Sequence, residues 1–154
     1  MKDAIADGTG LMILGGKIAY GASGIRGSVL DEVLPVQIGD ALADLQREDG
    51  TLQIRSRQIL GELSLPANLV CPYVHRVHVR PESSVQMTVG SMPFLVSGSF
   101  GKGRVVCLTG TLHGTAPAGK QLFTQWSGWP QLMRNTLYWL AEPTSPRSAG
   151  MNAR

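Results

Sequence analysis

The sequence predicts an α/β domain built on an open, mixed sheet, and three observations carry this prediction. The run Leu11–Leu14 is apolar at every position and is followed by glycines, a pattern typical of a parallel strand covered on both faces. Several later segments alternate apolar and polar residues, which favours half-exposed antiparallel strands. A glycine-rich loop and a capped helix directly follow the apolar run, the organisation of an open α/β sheet whose ligands bind at the strand C-termini.

The first forty residues divide into four elements. Lys2–Ala6 reads as the tail of a helix that two glycines stop. Leu11–Leu14 reads as a central, buried strand of the sheet. Gly15–Gly27 holds five glycines, counting its opening pair, and must be a loop. Ser28 begins a capping box for a short helix over Val29–Leu34, which Pro35 ends.

The later elements are expected to be strands with short connections, closed by one helix. Alternation predicts strands in Leu52–Arg57, Val74–Arg80 and Val85–Val89, and Phe94–Thr109 reads as a hairpin with a glycine-bearing turn. A helix is expected from Pro130 to Ala141. Its predicted apolar face consists of Trp129, Met133, Leu137 and Leu140.

Length and composition limit the class of protein. The 154 residues are 43% hydrophobic and 16% charged, which suffices for one domain with a sizeable core. No apolar run approaches the roughly 18 residues that span a bilayer, and the start MKDAIADG lacks the pattern of a secretory signal. Two cysteines make no disulfide framework, so we expect a cytoplasmic protein.

The net charge of +3 does not indicate nucleic acid. The basic side chains concentrate after residue 50, but they are scattered singly and no aromatic residues are interleaved with them. We therefore expect an ordinary solvated face and no nucleic-acid partner.

The opening of the chain is unusual for a doubly wound sheet. The glycine-rich crevice loop arrives within the first fifteen residues, where such a domain would still need preceding βα units. Residues 1–142 are therefore expected to be a partial domain that lacks its N-terminal βα units, and residues 143–154 a disordered tail.

Three segments resemble one family in their order along the chain. GTGLMILGGKIAYGASGIRGSVLDEVLPVQI, PFLVSGSFGKGRVVCLTG and the closing RNTLYWLA are similar to blocks of the glutamine amidotransferase-like proteins, with the resemblance running from Gly8 to Glu142. The resemblance implies a three-layer class I glutamine amidotransferase-like, flavodoxin-like fold, of which this chain matches the C-terminal portion.

The same resemblance implies a place for a catalytic cysteine, and this chain has none there. The turn after the Leu11–Leu14 strand carries Gly15, Gly16 and Lys17, whereas a glutaminase needs a thiolate activated by a histidine. His113 lies roughly where the family's catalytic histidine lies, but Thr115 stands at the position of its glutamate. We expect no glutaminase activity.

Neither cysteine offers a replacement nucleophile. Cys71 precedes a proline in a loop, and Cys107 lies in an apolar strand where a buried, inert thiol is usual. Ser23 superficially resembles a lipase elbow, but Ile25 stands where that motif needs glycine, so a turn residue is the better interpretation.

The glycine-rich loop is the best candidate for binding a small anionic ligand. Its backbone N–H groups lead into the helix at Ser28 and could receive an anion, although a structural need for positive φ explains the glycines equally well. The candidate ligand-binding residues are Gly15, Gly16, Tyr20, Gly21, Ser23 and Arg26.

A metal site is not expected, and no cofactor is implied. Cys71, His75 and His78 have suggestive spacing, but on a strand positions 75 and 78 point to opposite faces. His75 should face the core, and His78 should face outward with Arg76 and Arg80. That basic stripe could hold an anion, but a solvated edge is the simpler interpretation.

Two functional hypotheses follow. The first is a non-catalytic relative of the amidotransferase fold that acts as a binding or interaction module, with a protein partner or self-association. The second is a hydrolase or amidotransferase of altered chemistry that uses His113 and the Gly15–Arg26 loop.

Overall fold

The computed structural model describes residues 1–39 and 45–142. Its helices are α1 (Lys2–Ala6), α2 (Val29–Val33) and α3 (Trp129–Ala141), with 3-10 turns at Tyr20–Ser23 and Phe123–Gln125. Its strands are β1 (Leu11–Leu14), β2 (Val36–Ile38), β3 (Leu45–Arg47), β4 (Leu52–Ile54), β5 (Leu69–Val70), β6 (Tyr73–His75), β7 (Val77–Val79), β8 (Ser84–Val89), β9 (Met92–Phe100), β10 (Gly103–Leu108) and β11 (Gln121–Leu122).

The main sheet is mixed, as the sequence predicts. Its five strands lie in the order β1-β10-β9-β8-β4, with β1 parallel to β10 and every other neighbouring pair antiparallel. The smaller pairs are β2–β7 and β3–β6, which are antiparallel, and β5–β11, which is parallel. The predicted hairpin over Phe94–Thr109 is confirmed as β9 and β10, with Gly101 at a φ of +59° in the turn.

Helices cover both faces of the sheet. On one face α1 and α2 pack through Ile5 and Val33 onto Val105 and Cys107 of β10. On the other, α3 packs with Val106 and Leu108 of the same strand. The alternation along β10 therefore divides the core into two apolar layers, and the result is a three-layer arrangement.

The placement of β1 differs from the expectation of a central, buried strand. β1 lies at one edge of the sheet and pairs with β10 alone among the described strands. Leu11, Met12 and Ile13 are half-buried, and Leu14 is 53% exposed. An unalternating apolar run indicates that both faces can be covered, but it does not specify how many strands pair with it.

Two strand predictions need correction. β8 is not half-exposed, because both faces are covered over its last four residues, Gln86, Met87, Thr88 and Val89. The buried Gln86 side chain donates to Ser97 Oγ at 2.9 Å. Val74–Arg80 is two strands rather than one, since β6 pairs with β3 and β7 pairs with β2. His75 is buried and His78 is exposed, as expected.

The buried face of α3 is also different from the predicted face. Leu132, Thr136 and Leu140 are buried, whereas Leu137 is 57% exposed. The sequence does not reveal this face, because the polar residue Thr136 interrupts the spacing of its apolar residues. In the structure the Thr136 hydroxyl donates to the Leu132 carbonyl at 2.9 Å, which satisfies it inside the core.

The first two helices agree closely with the sequence prediction. α1 begins and ends as predicted, and α2 is one residue shorter than predicted, with Ser28 Oγ accepting from the Leu30 N–H at 3.2 Å. Before β1 the described chain contains only α1.

The predicted disordered tail, residues 143–154, lies outside the described residues. None of the helices in the described ranges is long and apolar enough to cross a membrane.

Candidate functional site

The carboxyl ends of β1 and β10 meet at one edge of the main sheet. The two strands are parallel, and Leu14 pairs with Leu108. Just beyond them the two segments that follow the strands lie so close together that a Cβ added at Gly15 would overlap the Gly110 carbonyl oxygen. This is the position at which an open α/β sheet binds its ligands, so it is the first place to look for function.

Tyr20 fills the space beyond these strand ends. Its side chain is completely buried, and its hydroxyl donates to the Leu108 carbonyl at 3.0 Å and lies 3.5 Å from the Ile13 carbonyl. Tyr20 has a φ of +54°, a conformation that no other non-glycine residue in the described ranges adopts. Such strain persists only where the surroundings hold it, so the packing beyond the strand ends holds Tyr20 in place. We call the buried Tyr20 side chain at this position the plug.

His75 supports the same plug from β6. Its buried ring lies 5.1 Å from the Tyr20 ring, centroid to centroid, and its Nε2 lies 2.8 Å from the Gly16 carbonyl oxygen. Because a carbonyl oxygen only accepts, Nε2 carries the proton and donates. His75 therefore fixes the start of the glycine-rich loop against the sheet.

Both thiols are buried near this edge. Burial raises the pKa of Cys107 to about 12, even though a hydrogen bond with Tyr20 lowers it in part. Burial likewise raises the pKa of Cys71 to about 12, although backbone hydrogen bonds at Thr111 and Tyr73 lower it in part. The Cys71 thiol donates to the carbonyls of Tyr73 at 3.3 Å and Thr111 at 3.6 Å. The pKa of Tyr20 is also raised, first by burial and then by Cys107. These groups are protonated at neutral pH.

Most of the predicted ligand-binding residues have structural roles. Gly15 and Gly16 make the contacts described above, and Gly21 and Tyr20 are buried. Ser23 Oγ donates to the Tyr20 carbonyl at 2.7 Å and accepts from the Ile25 N–H at 3.3 Å, which fits the interpretation as a turn residue.

Arg26 is the exposed member of this set that carries a charge. Gly24 and Gly27 nearby have φ values of +76° and +71°, as the structural explanation of the glycines requires. Anion binding by this loop stays a prediction.

His113 lies on the loop that follows β10. It is exposed, and its backbone N–H donates to Thr111 Oγ1 at 3.2 Å. Thr115, at the position of the family's glutamate, is also exposed. Across residues 1–39 and 45–142 no carboxylate is bonded to the His113 ring.

The three residues weighed as metal ligands do not form a site. Cys71 and His75 are buried with the contacts given above, and His78 is exposed on β7. The described part of the chain holds no group of three histidine, cysteine or acidic residues placed to hold a metal ion.

Two groups of residues were missed by sequence reasoning. One is the buried contact between Tyr20, His75 and Cys107, for which the only sequence signal is a tyrosine inside a glycine-rich loop. The other is a small open cleft beside the His113 loop. It is lined by Arg47, Glu48, Asp49, Val70, Pro72, Thr115 and Pro117. No local pattern predicts this cleft, because tertiary contacts bring its walls together.

The family model described as "Putative glutamine amidotransferase" matches residues 1–142. The chain belongs to this family. A search of curated proteins found no significant match to this glutamine amidotransferase-like chain.

Two solved structures share the fold. The cytoplasmic protein STM3548 from Salmonella typhimurium is 22% identical, with a TM-score of 0.78 over 90% of this chain. The cytoplasmic protein STM1381 from Salmonella typhimurium LT2 is 23% identical, with a TM-score of 0.76 over 92% of this chain. The amidotransferase-like chain spans only 58% and 59% of the length of these two proteins.

Proposed function

We propose that this glutamine amidotransferase-like chain has no glutaminase activity and acts in the cytoplasm as a binding or interaction module of a larger protein or assembly. The observation that carries the proposal is the state of its two thiols. Both are buried with pKa values of about 12, and neither lies in the turn after β1.

The chemistry follows from these pKa values. Glutaminase chemistry begins with attack by a thiolate on the amide carbon of glutamine. With a pKa of about 12, only about one thiol in 10⁵ is ionised at pH 7. The turn that would carry the nucleophile contains Gly15, Gly16 and Lys17, and the adjoining space is filled by Tyr20.

The binding role is supported by what surrounds this edge. The plug formed by Tyr20 and His75 closes the usual ligand position at the strand ends, whereas Arg26 and the outer part of the loop are exposed. A small anionic ligand would therefore bind on the outside of the loop. The open edge of β1 offers a separate surface for another polypeptide.

A rival function is hydrolysis or amide transfer by altered chemistry. The feature that favours it is the position of His113, which is solvent-accessible on the loop after β10, on the same sheet edge as the Gly15–Arg26 loop. A histidine placed there could act as a general base for a nucleophile supplied by other residues.

The test is release of ammonia from glutamine by the purified chain. We expect none above buffer, and the same result for the Cys71→Ala, Cys107→Ala and His113→Ala variants. Ammonia release that either cysteine variant abolishes would contradict the proposal. Release that persists in both cysteine variants but disappears in His113→Ala would favour the rival function.

A further inference from the structure

The side of α3 that faces away from the sheet is poor in charge. The exposed residues of this helix are Pro130, Arg134, Leu137, Tyr138 and Ala141. At 100° per residue these five side chains leave the helix within about 100° of one another, opposite its buried face. We call these five residues the outer face of α3.

The composition of this outer face is unlike that of a helix surface in contact with water. A surface helix normally carries polar and charged residues opposite its buried stripe, whereas here Arg134 is the one charged member. Leu137 is 57% exposed and the neighbouring Tyr138 is 64% exposed. Single exposed apolar residues are common, but a contiguous group of them marks an interaction surface.

Two opposite charges flank Tyr138 on the same helical row. Arg134 lies four residues before Tyr138, and Glu142 lies four residues after it. The Glu142 N–H donates to the Tyr138 carbonyl at 3.1 Å, so Glu142 still belongs to the last turn of the helix. Residues four apart are neighbours on a helix surface, so the row runs from a positive charge through a tyrosine to a negative charge.

The negative end of this row is held in place. The Arg104 guanidinium lies 3.0 Å from Glu142 Oε2, donates to the Trp139 carbonyl at 2.7 Å and packs over the Trp139 ring at 4.7 Å. The Glu142 side chain nevertheless stays 65% exposed. Arg134 at the other end forms no ion pair with a carboxylate of the described residues.

We propose that the outer face of α3 is the surface through which two copies of this chain associate, with their α3 helices antiparallel and crossing at Tyr138. A two-fold interface uses the same surface on both copies. Arg134 of each copy then lies opposite Glu142 of the other copy, and Leu137 packs beside the two Tyr138 rings. The inference rests on the proposed function, since it names the partner of the interaction module.

The charges select both the occupant and its direction. In a parallel pair of α3 helices, Arg134 would face Arg134 and Glu142 would face Glu142, and both contacts would be repulsive. The antiparallel pair turns both contacts into opposite charges, because Arg134 and Glu142 lie at equal distances from Tyr138. The surface is therefore complementary to itself.

The size of this surface sets the expected affinity. α3 has 13 residues and is about 20 Å long, so one helix per copy buries less than a standard interface of roughly 1,600 Å². We expect a weak dimer with a dissociation constant on the order of 10–100 micromolar.

Sedimentation equilibrium of the 154-residue chain tests the proposal, from about 1 to 300 micromolar in about 0.15 M salt. We expect monomers at the lowest concentrations and dimers at the highest. Arg134→Glu and Glu142→Arg should each weaken the dimer about tenfold or more, because the two-fold axis repeats each altered contact. Tyr138→Ala should weaken it at least as much, since it removes the central contact.

A mixture of the two charge variants is the decisive sample. In a mixed dimer of Arg134→Glu with Glu142→Arg, both flanking contacts again join opposite charges. An equimolar mixture should therefore recover the association that each variant alone has lost. Only an antiparallel contact between these two positions predicts this recovery.

Matched variants control for the changes themselves. Arg76→Glu makes the same change of charge at an exposed arginine outside α3, and Val29→Ala removes an apolar side chain that is 53% exposed on α2. Both should leave the dissociation constant within about twofold. Glu142→Gln keeps an oxygen for Arg104 and removes only the charge, so it should weaken the dimer about threefold. Unfolding transitions are recorded first, so that only folded proteins are compared.

Three results would overturn the proposal. The first is a chain that stays monomeric up to about 300 micromolar. The second is a dimer that Arg134→Glu and Tyr138→Ala leave intact, which would assign association to another surface. The third is a mixture of the two folded charge variants that does not associate.

The ammonia assay on the same samples separates this inference from the proposed function. Ammonia release by the dimer would contradict the proposed lack of glutaminase activity and leave the α3 interface standing. A monomer that releases no ammonia would remove the α3 interface alone.

Discussion

The two edges of the main sheet are built differently. At the β4 edge apolar and polar residues alternate along the strand. Beyond Ile54 the N–H groups of Arg55 and Ser56 both donate to the Gln86 carbonyl, at 2.9 and 3.2 Å. The Arg55 side chain adds a bond to Thr88 Oγ1 at 3.1 Å. At the β1 edge the strand is wholly apolar and is held by close packing at its ends. The β4 edge has additional local polar contacts, whereas the β1 edge depends on a few tight contacts at the ends of the strand.

The largest effect is expected where β1 meets β10. Gly15→Ala places a Cβ on the Gly110 carbonyl oxygen, which neither backbone can avoid, so it should lower the free energy of unfolding by about 3 kcal/mol. Gly16→Ala is the matched control, because nothing lies within 4 Å of its added Cβ and it should change the free energy by less than about 0.5 kcal/mol. Urea denaturation measures both. Equal effects would show that the strand ends are not in close contact.

Removing the Tyr20 hydroxyl should have the next largest effect. Tyr20→Phe keeps the buried ring but leaves the Leu108 carbonyl without this donor, which should cost about 2 kcal/mol. Tyr138→Phe alters an exposed tyrosine and should leave the unfolding midpoint unchanged. A neutral Tyr20→Phe would mean that the ring alone holds the plug.

Alkaline pH should lower the free energy of unfolding of the whole fold through its two buried thiols. The thiols of Cys71 and Cys107 have pKa values of about 12 in the folded chain, against an ordinary value of 9.0. Above pH 9 the unfolded chain therefore releases protons that the folded chain retains, so the free energy of unfolding falls by about 1.4 kcal/mol per pH unit for each thiol.

The contribution of each thiol is fully present below pH 9 and is lost progressively as the pH rises to about 12. Urea titrations at pH 7, 9 and 10 give the slope, and Cys107→Ala should reduce it by one thiol's share. Because that variant also leaves a small cavity, the slopes and not the absolute free energies are compared. An unchanged slope would mean that the buried Cys107 thiol does not contribute.

The smallest effect is expected at the β4 edge. Arg55→Ala removes the bond to Thr88 Oγ1 but retains the backbone N–H that donates to Gln86, so it should cost about 0.5–1 kcal/mol. Hydrogen exchange of the β4 amides should stay close to that of the unaltered chain. A loss as large as that of Gly15→Ala would remove the contrast between the two edges.

Local patterns account for much of the fold. Ser28 and the glycines around Leu11–Leu14 gave the right positions for the first elements, because capping and glycine stops are local physics. The hairpin of β9 and β10 was predictable for the same reason. The edge position of β1 was not, because it depends on which other strands are present.

The candidate site was less predictable than the fold. The exposed loop position of His113 could be assigned from the sequence, since it follows a recognisable strand. The contact of Tyr20 with His75 could not, because it joins residues 55 positions apart and requires a positive φ at a non-glycine residue. The buried Thr136 misled the prediction of the α3 face because its hydrogen bond within the helix is invisible in composition.

The pairing of β1 with β10 also determines the order of events during synthesis. Leu11 pairs with Val105, so β1 leaves the ribosome long before its partner exists, whereas β8, β9 and β10 follow one another through short turns. At about 5–20 residues per second, the apolar stretch Leu11–Leu14 waits roughly 5 to 20 seconds for β10. The antiparallel strands β8, β9 and β10 can therefore pair with one another through local contacts, whereas β1 pairs with β10 only across a separation of about ninety residues, the slower kind of contact to form.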